Sequence, residues 1–258
     1  MTAGISSLAA LVRALLLCVL LAVTAPSMAQ TDPLPSWNDG AAKRAIVSFV
    51  KATTEPGSAD FVPQAERIAA FDQDGTLWVE KPMYSQVIYC LDRVPAVVKE
   101  KPELANVEPF KTALSGDREA MARLSLEDFE KILAATLTGM SVEDFRAEAS
   151  KWLDSARDPR WRRPYTELTY LPMQEVLRYF RANGYKTYIV TGGGQDFVRI
   201  YAERVYGVPR EQVVGTAGET RYGYAKDGKP VLTKEPELLL HNDKAGNCLL
   251  YTSDAADE

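Results

Sequence analysis

The chain has 258 residues, of which 46% are hydrophobic, enough to bury the core of a globular domain. Its net charge of −5 is mild and no block of lysine and arginine occurs, so the composition argues against nucleic-acid binding. Three cysteines are too few to indicate a disulfide framework.

The N-terminus has the pattern of a secretory signal peptide. Arg13 precedes an apolar stretch over residues 14–23, and Ser27-Met28-Ala29 places small residues where signal peptidase cleaves. The apolar stretch is too short for a comfortable membrane span. We therefore predict a periplasmic or secreted protein, with residues 1–29 removed and no stable membrane span afterwards. A retained N-terminal anchor is the alternative.

A helix is predicted from Asn38 or Asp39 to about residue 51, and the next predicted element is a strand. Ile68-Ala69-Ala70-Phe71 indicates a short buried strand, and two acids, Asp72 and Asp74, follow it directly. Their spacing sends both side chains to the same side of an extended backbone. Such a pair can share a hard cation, or divide into a nucleophile and a proton donor. An ordinary turn after a strand is the alternative.

A calcium loop is excluded at this position by spacing. That motif has glycine at its sixth position and glutamate at its twelfth. Counted from Asp72, the glycine Gly75 is fourth and the twelfth residue is Met83.

Between residues 82 and 165 the pattern is almost purely helical. Ser125 to Asp128 and Ser141 to Asp144 each fit the capping box that opens an amphipathic helix. We predict that the apolar residues of these two helices are core positions: Phe129, Ile132, Leu133, Phe145 and Trp152.

The α/β pattern resumes with a helix from Leu171 that ends at Asn183-Gly184, and with a strand over residues 185–190. Thr191 and Gly192 follow, and a further helix is predicted to about residue 206. A hydroxyl and free backbone N–H groups at a helix N-terminus bind anions. A dinucleotide fingerprint is excluded because Phe197 stands where the last glycine is needed.

The last predicted elements are β-strands. Val213-Val214 indicates a short strand, and Tyr222-Gly223-Tyr224 is predicted to pair with Val231-Leu232 in a hairpin that turns at Asp227-Gly228.

The strand ending in Asp72-Gln73-Asp74-Gly75-Thr76 resembles the first motif, D-x-D-G-T, of the haloacid-dehalogenase-like hydrolase superfamily. The resemblance implies that Asp72 is the nucleophile that attacks phosphorus and that Asp74 is the general acid/base. It also implies that Thr191 and the Gly192 amide bind phosphate, as in the second motif. Lys244 is the candidate for the lysine of the third motif, with a solvated surface lysine as the alternative.

The fold class implied is α/β: a Rossmann-like, doubly wound parallel sheet with an inserted helical cap and a small β-hairpin. The expected boundaries are 30–81 for the N-terminal helix and first strand, 82–165 for the cap, and 166–247 for the rest of the core. The cap resembles that of the phosphoserine-phosphatase-like branch. Trp78 and Glu80 are expected to pack at its hinge or to contact the substrate.

The tail over residues 248–258 has an unusual sequence. Its codons, back-translated from Cys248 onward, resemble a transposon-end adapter of sequencing libraries. We therefore expect the natural frame to depart near Asn247, with a genuine acidic tail as the alternative. The fourth motif of the superfamily, an acidic pair that completes the metal site, has no match in the chain.

The function expected is that of an exported, Mg²⁺-dependent phosphatase acting on a small phosphorylated metabolite. Mg²⁺ would be held by Asp72 and Asp74, with the third acidic ligand missing from the chain. Two alternatives stay open: a non-catalytic periplasmic protein that binds phosphometabolites, and a phosphotransferase or mutase on the same fold.

Overall fold

A computed structural model describes residues 32–121 and 123–240. The predicted signal peptide, Lys244 and the tail from Cys248 lie outside these residues. The chain divides after Pro35 into two compact units, and every element below belongs to the second, which begins at Ser36.

Four strands form one sheet in the order in which they occur along the chain. They are β1 (Ile68–Phe71), β2 (Lys186–Gly194), β3 (Val213–Tyr224) and β4 (Pro230–Leu240). The first three strands are parallel and β4 is antiparallel to β3. The predicted α/β class is confirmed, because the parallel strands are joined by helical crossovers.

Nine helices surround this sheet in the described part of the chain. They are α1 (Ala41–Thr54), α2 (Ser85–Glu100), α3 (Phe110–Ser115), α4 (Arg118–Met121), α5 (Leu126–Leu137), α6 (Val142–Ser155), α7 (Leu171–Ala182), α8 (Gln195–Val198) and α9 (Ala202–Tyr206). None of the helices in the described ranges is long and apolar enough to cross a membrane. The segment 82–165 contains α2 to α6, as its helical pattern predicted.

The predicted helix starts differ in how well they match the structure. Ser125 and Asp128 form the complete capping box of α5, and the Ser141 hydroxyl accepts from the Asp144 N–H at 2.9 Å at the start of α6. Helix α1, however, begins at Ala41 without a side-chain cap, because its N-cap residue is Gly40, and Asp39, one residue earlier, pairs with Lys43.

Strand β1 has the predicted bounds, but its predicted burial is wrong. Its residues alternate between exposed and half-buried, and Ile68 is 56% exposed. Among the described strands β1 pairs with β2 alone, so it lies at an edge of this sheet. The apolar sequence therefore predicted the strand correctly but did not predict how exposed its side chains are.

One hydrophobic cluster joins the helical segment to the sheet. Ile132 and Phe145 are fully or nearly buried in it, as predicted, and Ile189 of β2 and Phe197 of α8 belong to the same cluster. The other three predicted core residues are partly buried: Phe129, Leu133 and Trp152. The helices of residues 82–165 thus share their core with the sheet.

Strand β2 is longer than predicted and contains a bulge. Val190 pairs with Val214 and Gly194 with Thr216, so four steps along β2 match two steps along β3. Three residues of β2, Thr191 to Gly193, thus lie opposite one residue of β3, Gly215, and the sequence pattern had placed this segment at the start of a helix. That expectation is corrected: the helical region begins only at Gln195, and it divides into α8 and α9.

The predicted hairpin is confirmed and extends further than expected. Tyr222 pairs with Leu232, and Tyr224 pairs with Pro230. The turn contains Gly228 with φ +82°, a conformation that favours glycine. The pairing continues to Leu240, which pairs with Ala217.

Candidate active site

The two acids of the D-x-D-G-T motif lie on a tight turn at the carboxyl end of β1. The Gln73 carbonyl accepts from the N–H groups of Leu77 at 2.9 Å and Trp78 at 3.2 Å, and the Gly75 N–H donates to the Trp78 carbonyl at 2.8 Å. Gly75 has φ +80°, and a Cβ there would lie 3.0 Å from the side chain of Glu80. A glycine is therefore required at this turn.

Asp72 and Asp74 differ in their exposure. Asp72 is exposed as a residue, yet partial desolvation of its carboxyl raises its pKa, and the charge of Glu80 adds to this. Asp74 is half-buried, and its burial, followed by the negative charge of Asp72, raises its pKa to about 6. An acid with such a pKa can hold a proton and release it near neutral pH, which is the requirement for general acid/base chemistry.

Asp74 is held by the side chain of Trp78. The indole Nε1–H donates to Asp74 Oδ1 at 3.1 Å, and the indole ring stacks on Tyr201 with a centroid distance of 4.7 Å. Trp78 is 1% exposed, so it does not lie on a substrate-facing surface. Of the two roles that the sequence suggested for Trp78, packing is the one observed.

Gln73, between the two acids, points away from them into the core. It is 1% exposed and its Nε2 donates to the hydroxyl of Tyr206 at 3.0 Å. The alternation of side chains along the turn thus buries Gln73 and leaves Asp72 and Asp74 on the other side.

The bulge of β2 brings the predicted phosphate-binding residues to the same place. A Cβ on Gly193 would lie 3.4 Å from Thr191 Oγ1 and 3.7 Å from Asp74 Oδ2. Thr191 Oγ1 accepts from the Gly193 N–H at 3.0 Å, and Gly192 is exposed, with its carbonyl accepting from Thr216 Oγ1 at 2.7 Å. The structure therefore places Gly193 between Thr191 Oγ1 and Asp74 Oδ2, and Gly192 lies on the same bulge rather than on a helix N-terminus.

Gln86 is a site residue that the sequence analysis missed. It lies in the first turn of α2, and its Oε1 accepts from the Gly194 N–H at 2.7 Å. The same oxygen lies 3.5 Å from the position of a Cβ on Gly193. A polar residue at the start of the helix that follows the D-x-D-G-T turn was the available signal.

Lys234 is a second residue that was missed. It is 7% exposed, its Nζ forms an ion pair with Asp196, and it lies 4.9 Å from the ring centroid of Phe145. Its backbone N–H donates to the Met140 carbonyl at 2.9 Å. Nothing in the alternating pattern of a hairpin strand indicates such a buried lysine, so its pairing depends on the tertiary structure.

The donor set of the two acids fits a magnesium ion. Mg²⁺ is commonly held by one or two carboxylates, with water and substrate phosphate as the other ligands. After burial, the negative charge of Asp72 is the next cause of the raised pKa of Asp74. The two like charges repel each other, and a divalent cation bound between them would relieve this repulsion. Within residues 32–121 and 123–240 no group of three or more His, Cys, Asp or Glu side chains is arranged to hold a metal.

A family model described as haloacid dehalogenase-like hydrolase matches residues 69–252, which is most of the chain. No curated protein matches the chain.

Solved structures that are similar to the chain include three proteins of low identity. A Bordetella pertussis Tohama I protein of unknown function is 19% identical, with 67% of this chain and 66% of that one covered and a TM-score of 0.43. A phosphoserine phosphohydrolase-like protein from Francisella tularensis subsp. tularensis SCHU S4 is 18% identical, with coverages of 70% and 67% and a TM-score of 0.31. A probable phosphoserine phosphatase from Vibrio cholerae is 16% identical, with coverages of 70% and 42% and a TM-score of 0.35. At these values the similarities say nothing about activity.

The close approach of β3 to the bulge yields a testable expectation for Gly215. A Cβ there would lie 2.7 Å from the Gly193 carbonyl oxygen and 3.0 Å from the Gln195 backbone, and backbone atoms cannot move aside cheaply. We expect Gly215→Ala to lower the free energy of unfolding by about 1–3 kcal/mol, measured by chemical denaturation.

Gly223→Ala is the matched control, because it lies in the same strand and its added Cβ would meet nothing within 4 Å. We expect a change within about 0.5 kcal/mol. Equal effects of the two substitutions would contradict the close approach at Gly215.

The raised pKa of Asp74 yields a second expectation, for the metal-free protein. The charged form is disfavoured in the folded state, so stability is lost as the pH rises from the usual carboxyl pKa of 3.8 to the folded value of about 6. Asp74→Asn removes the charge and keeps the oxygen that accepts from Trp78. In a chelator at pH 8 we expect it to raise the free energy of unfolding by on the order of 2–3 kcal/mol.

This gain is expected to shrink toward zero as the pH falls below about 4, where Asp74 is protonated in both states. It is also expected to be smaller in an Asp72→Asn background, because the charge of Asp72 contributes to the shift. Urea denaturation across pH measures both, and a gain that does not vary with pH would contradict the assignment.

Proposed function

Because the chain belongs to the haloacid dehalogenase-like hydrolases, we propose that it is a phosphatase that hydrolyses small phosphomonoesters through an aspartyl-phosphate intermediate. The observation that supports this most directly is the position of the β2 bulge, which places Thr191 next to Asp74. An anion-binding hydroxyl beside a carboxyl with a raised pKa suits the transfer of a phosphoryl group.

Asp72 is the nucleophile in this proposal. It is the more exposed of the two acids, so an incoming ester can reach its carboxylate. One of its oxygens bonds to phosphorus as the bond between phosphorus and the ester oxygen breaks, and the phosphoryl group is then carried on Asp72.

Asp74 is the general acid/base. In its protonated form it gives its proton to the departing ester oxygen, so that a neutral alcohol leaves. In its charged form it then takes a proton from the water that attacks phosphorus and releases Asp72. A carboxyl with a pKa of about 6 serves both steps without a large free-energy cost.

The bulge of β2 binds the phosphoryl group. In this proposal the Thr191 hydroxyl and the N–H of Gly192, an exposed residue, donate to phosphoryl oxygens. Gln86 supports the bulge by accepting from the Gly194 N–H. The Asp72 carboxylate and the Asp74 backbone carbonyl would hold Mg²⁺, which would supply electrostatic stabilisation of the charge on the phosphoryl oxygens. Lys244, outside the described residues, stays a predicted phosphate ligand.

The substrate class is a small phosphorylated metabolite, and the site of action is outside the cytoplasm. The helices of residues 82–165 support a small substrate. The hydrogen bond of Gln86 to the bulge brings α2 close to it, which limits the room for a substrate there. The signal-peptide pattern of residues 1–29 supports a site of action outside the cytoplasm.

The decisive test is Asp72→Asn, in protein produced from the complete reading frame. With p-nitrophenyl phosphate or β-glycerophosphate and Mg²⁺, we expect phosphate release by this variant to fall to the assay background, because an amide is not a nucleophile of comparable strength. Acid-quenched wild-type protein is expected to carry label from ³²P-substrate, and the variant none.

Asp60→Asn is the matched control, since Asp60 is an exposed aspartate in a loop outside the site. We expect it to keep wild-type turnover. Phosphate release that persists in Asp72→Asn would show that the nucleophile is wrongly assigned.

Export has its own test in the native host. Edman sequencing of the protein recovered from the periplasmic fraction or the medium is expected to begin at Gln30, after cleavage at Ala29. A protein that stays with the membrane and keeps Met1 would contradict export with cleavage.

A further inference from the structure

The two oxygens of the Asp74 carboxyl have different surroundings. Oδ1 accepts the indole Nε1–H of Trp78 at 3.1 Å. Oδ2 lies toward the β2 bulge, 3.7 Å from where a Cβ on Gly193 would be. One oxygen is therefore tied to the protein, and the other faces the place where Thr191 would bind the phosphoryl group.

The indole that holds Oδ1 is itself fixed on several sides. Trp78 is 1% exposed and stacks on the ring of Tyr201 with an interplanar angle of 7°. Its backbone closes the motif turn, with its N–H donating to Gln73 and its carbonyl accepting from Gly75. A side chain packed in this way has one orientation, so its N–H points in one direction.

We propose that Trp78 is a positioning residue that makes Oδ2 the oxygen of Asp74 through which the proton passes. The proposal rests on the phosphatase function proposed above. Indole N–H is a donor only, so it pairs with the unprotonated oxygen of a carboxyl and leaves the proton on the other one. Trp78 therefore orients the Asp74 carboxyl in addition to packing against Tyr201 in the core.

The proton balance of the reaction follows from this arrangement. As the bond from Asp72 to phosphorus forms and the ester bond breaks, the proton on Oδ2 moves to the ester oxygen, leaving an alcohol and a charged Asp74. When water attacks phosphorus, its proton returns to Oδ2 and Asp72 leaves as a carboxylate. Oδ1 keeps its bond to Trp78 through both steps.

The test compares two esters that differ in their need for an acid. An alkyl phosphate such as β-glycerophosphate requires protonation of its leaving oxygen, whereas the p-nitrophenolate of p-nitrophenyl phosphate leaves without it. We expect Trp78→Phe to lower kcat/KM about tenfold or more for the alkyl ester and less than about threefold for the aryl ester. The parameter kcat/KM reports the step in which the alcohol leaves.

Trp152→Phe is the matched control. Its indole Nε1–H also donates to an aspartate, Asp92, at 2.8 Å, but in the helical segment of the chain. We expect this variant to change kcat/KM for the two esters by the same factor. An equal loss for both esters in Trp78→Phe would overturn the positioning role. A wild-type protein inactive on both would instead overturn the proposed function, and with it the role of Trp78.

A second measurement is independent of activity and of how well Trp78→Phe folds. In ¹⁵N-labelled protein the indole N–H resonance of Trp78 is assigned among the four tryptophans. We expect Asp74→Ala, which removes the acceptor, to move this resonance upfield and to leave that of Trp152 in place. A Trp78 resonance that does not move would show that the bond to Asp74 is absent in solution and would overturn the proposal.

Discussion

The parallel pairing of β1 with β2 is the contact on which the site depends. Phe71 pairs with Ile189, so the turn that carries Asp72 and Asp74 and the bulge that begins at Thr191 leave the same edge of the sheet. These two segments are separated by more than a hundred residues of helix and loop, so their pairing is a non-local contact with a large loop-closure entropy cost. Once it forms, the acids and the bulge lie together without further adjustment.

Much of this arrangement could be predicted from local patterns. The bounds of β1, the capping box of α5, the Ser141 cap of α6 and the turn at Gly228 depend on neighbours close in sequence, so local patterns could predict them. The placement of Asp74 beside Thr191 also followed from the general rule that carboxyl ends of parallel strands share an edge. The roles of these residues are predictions that the structure does not test.

The remaining features depend on contacts distant in sequence. The bulge in β2 arises where Gly215 of β3 meets the Gly193 carbonyl, and no local pattern shows that approach. The contact of Gln86 with Gly194, the ion pair of Lys234, and the exposure of β1 are likewise set by packing between elements. A run of apolar residues predicts a strand equally well at the centre or the edge of a sheet, and this explains the error about the burial of β1.

The attachment of Lys234 has a mechanical consequence. Its backbone exchanges hydrogen bonds with Gly139 and Met140 in the connection between α5 and α6, and its side chain pairs with Asp196, two residues beyond the bulge. The hairpin therefore connects the helical segment to the residues that follow the bulge of β2. For the α5–α6 end to move away as a rigid lid, two backbone bonds of about 0.5–1.5 kcal/mol each would have to break with the ion pair.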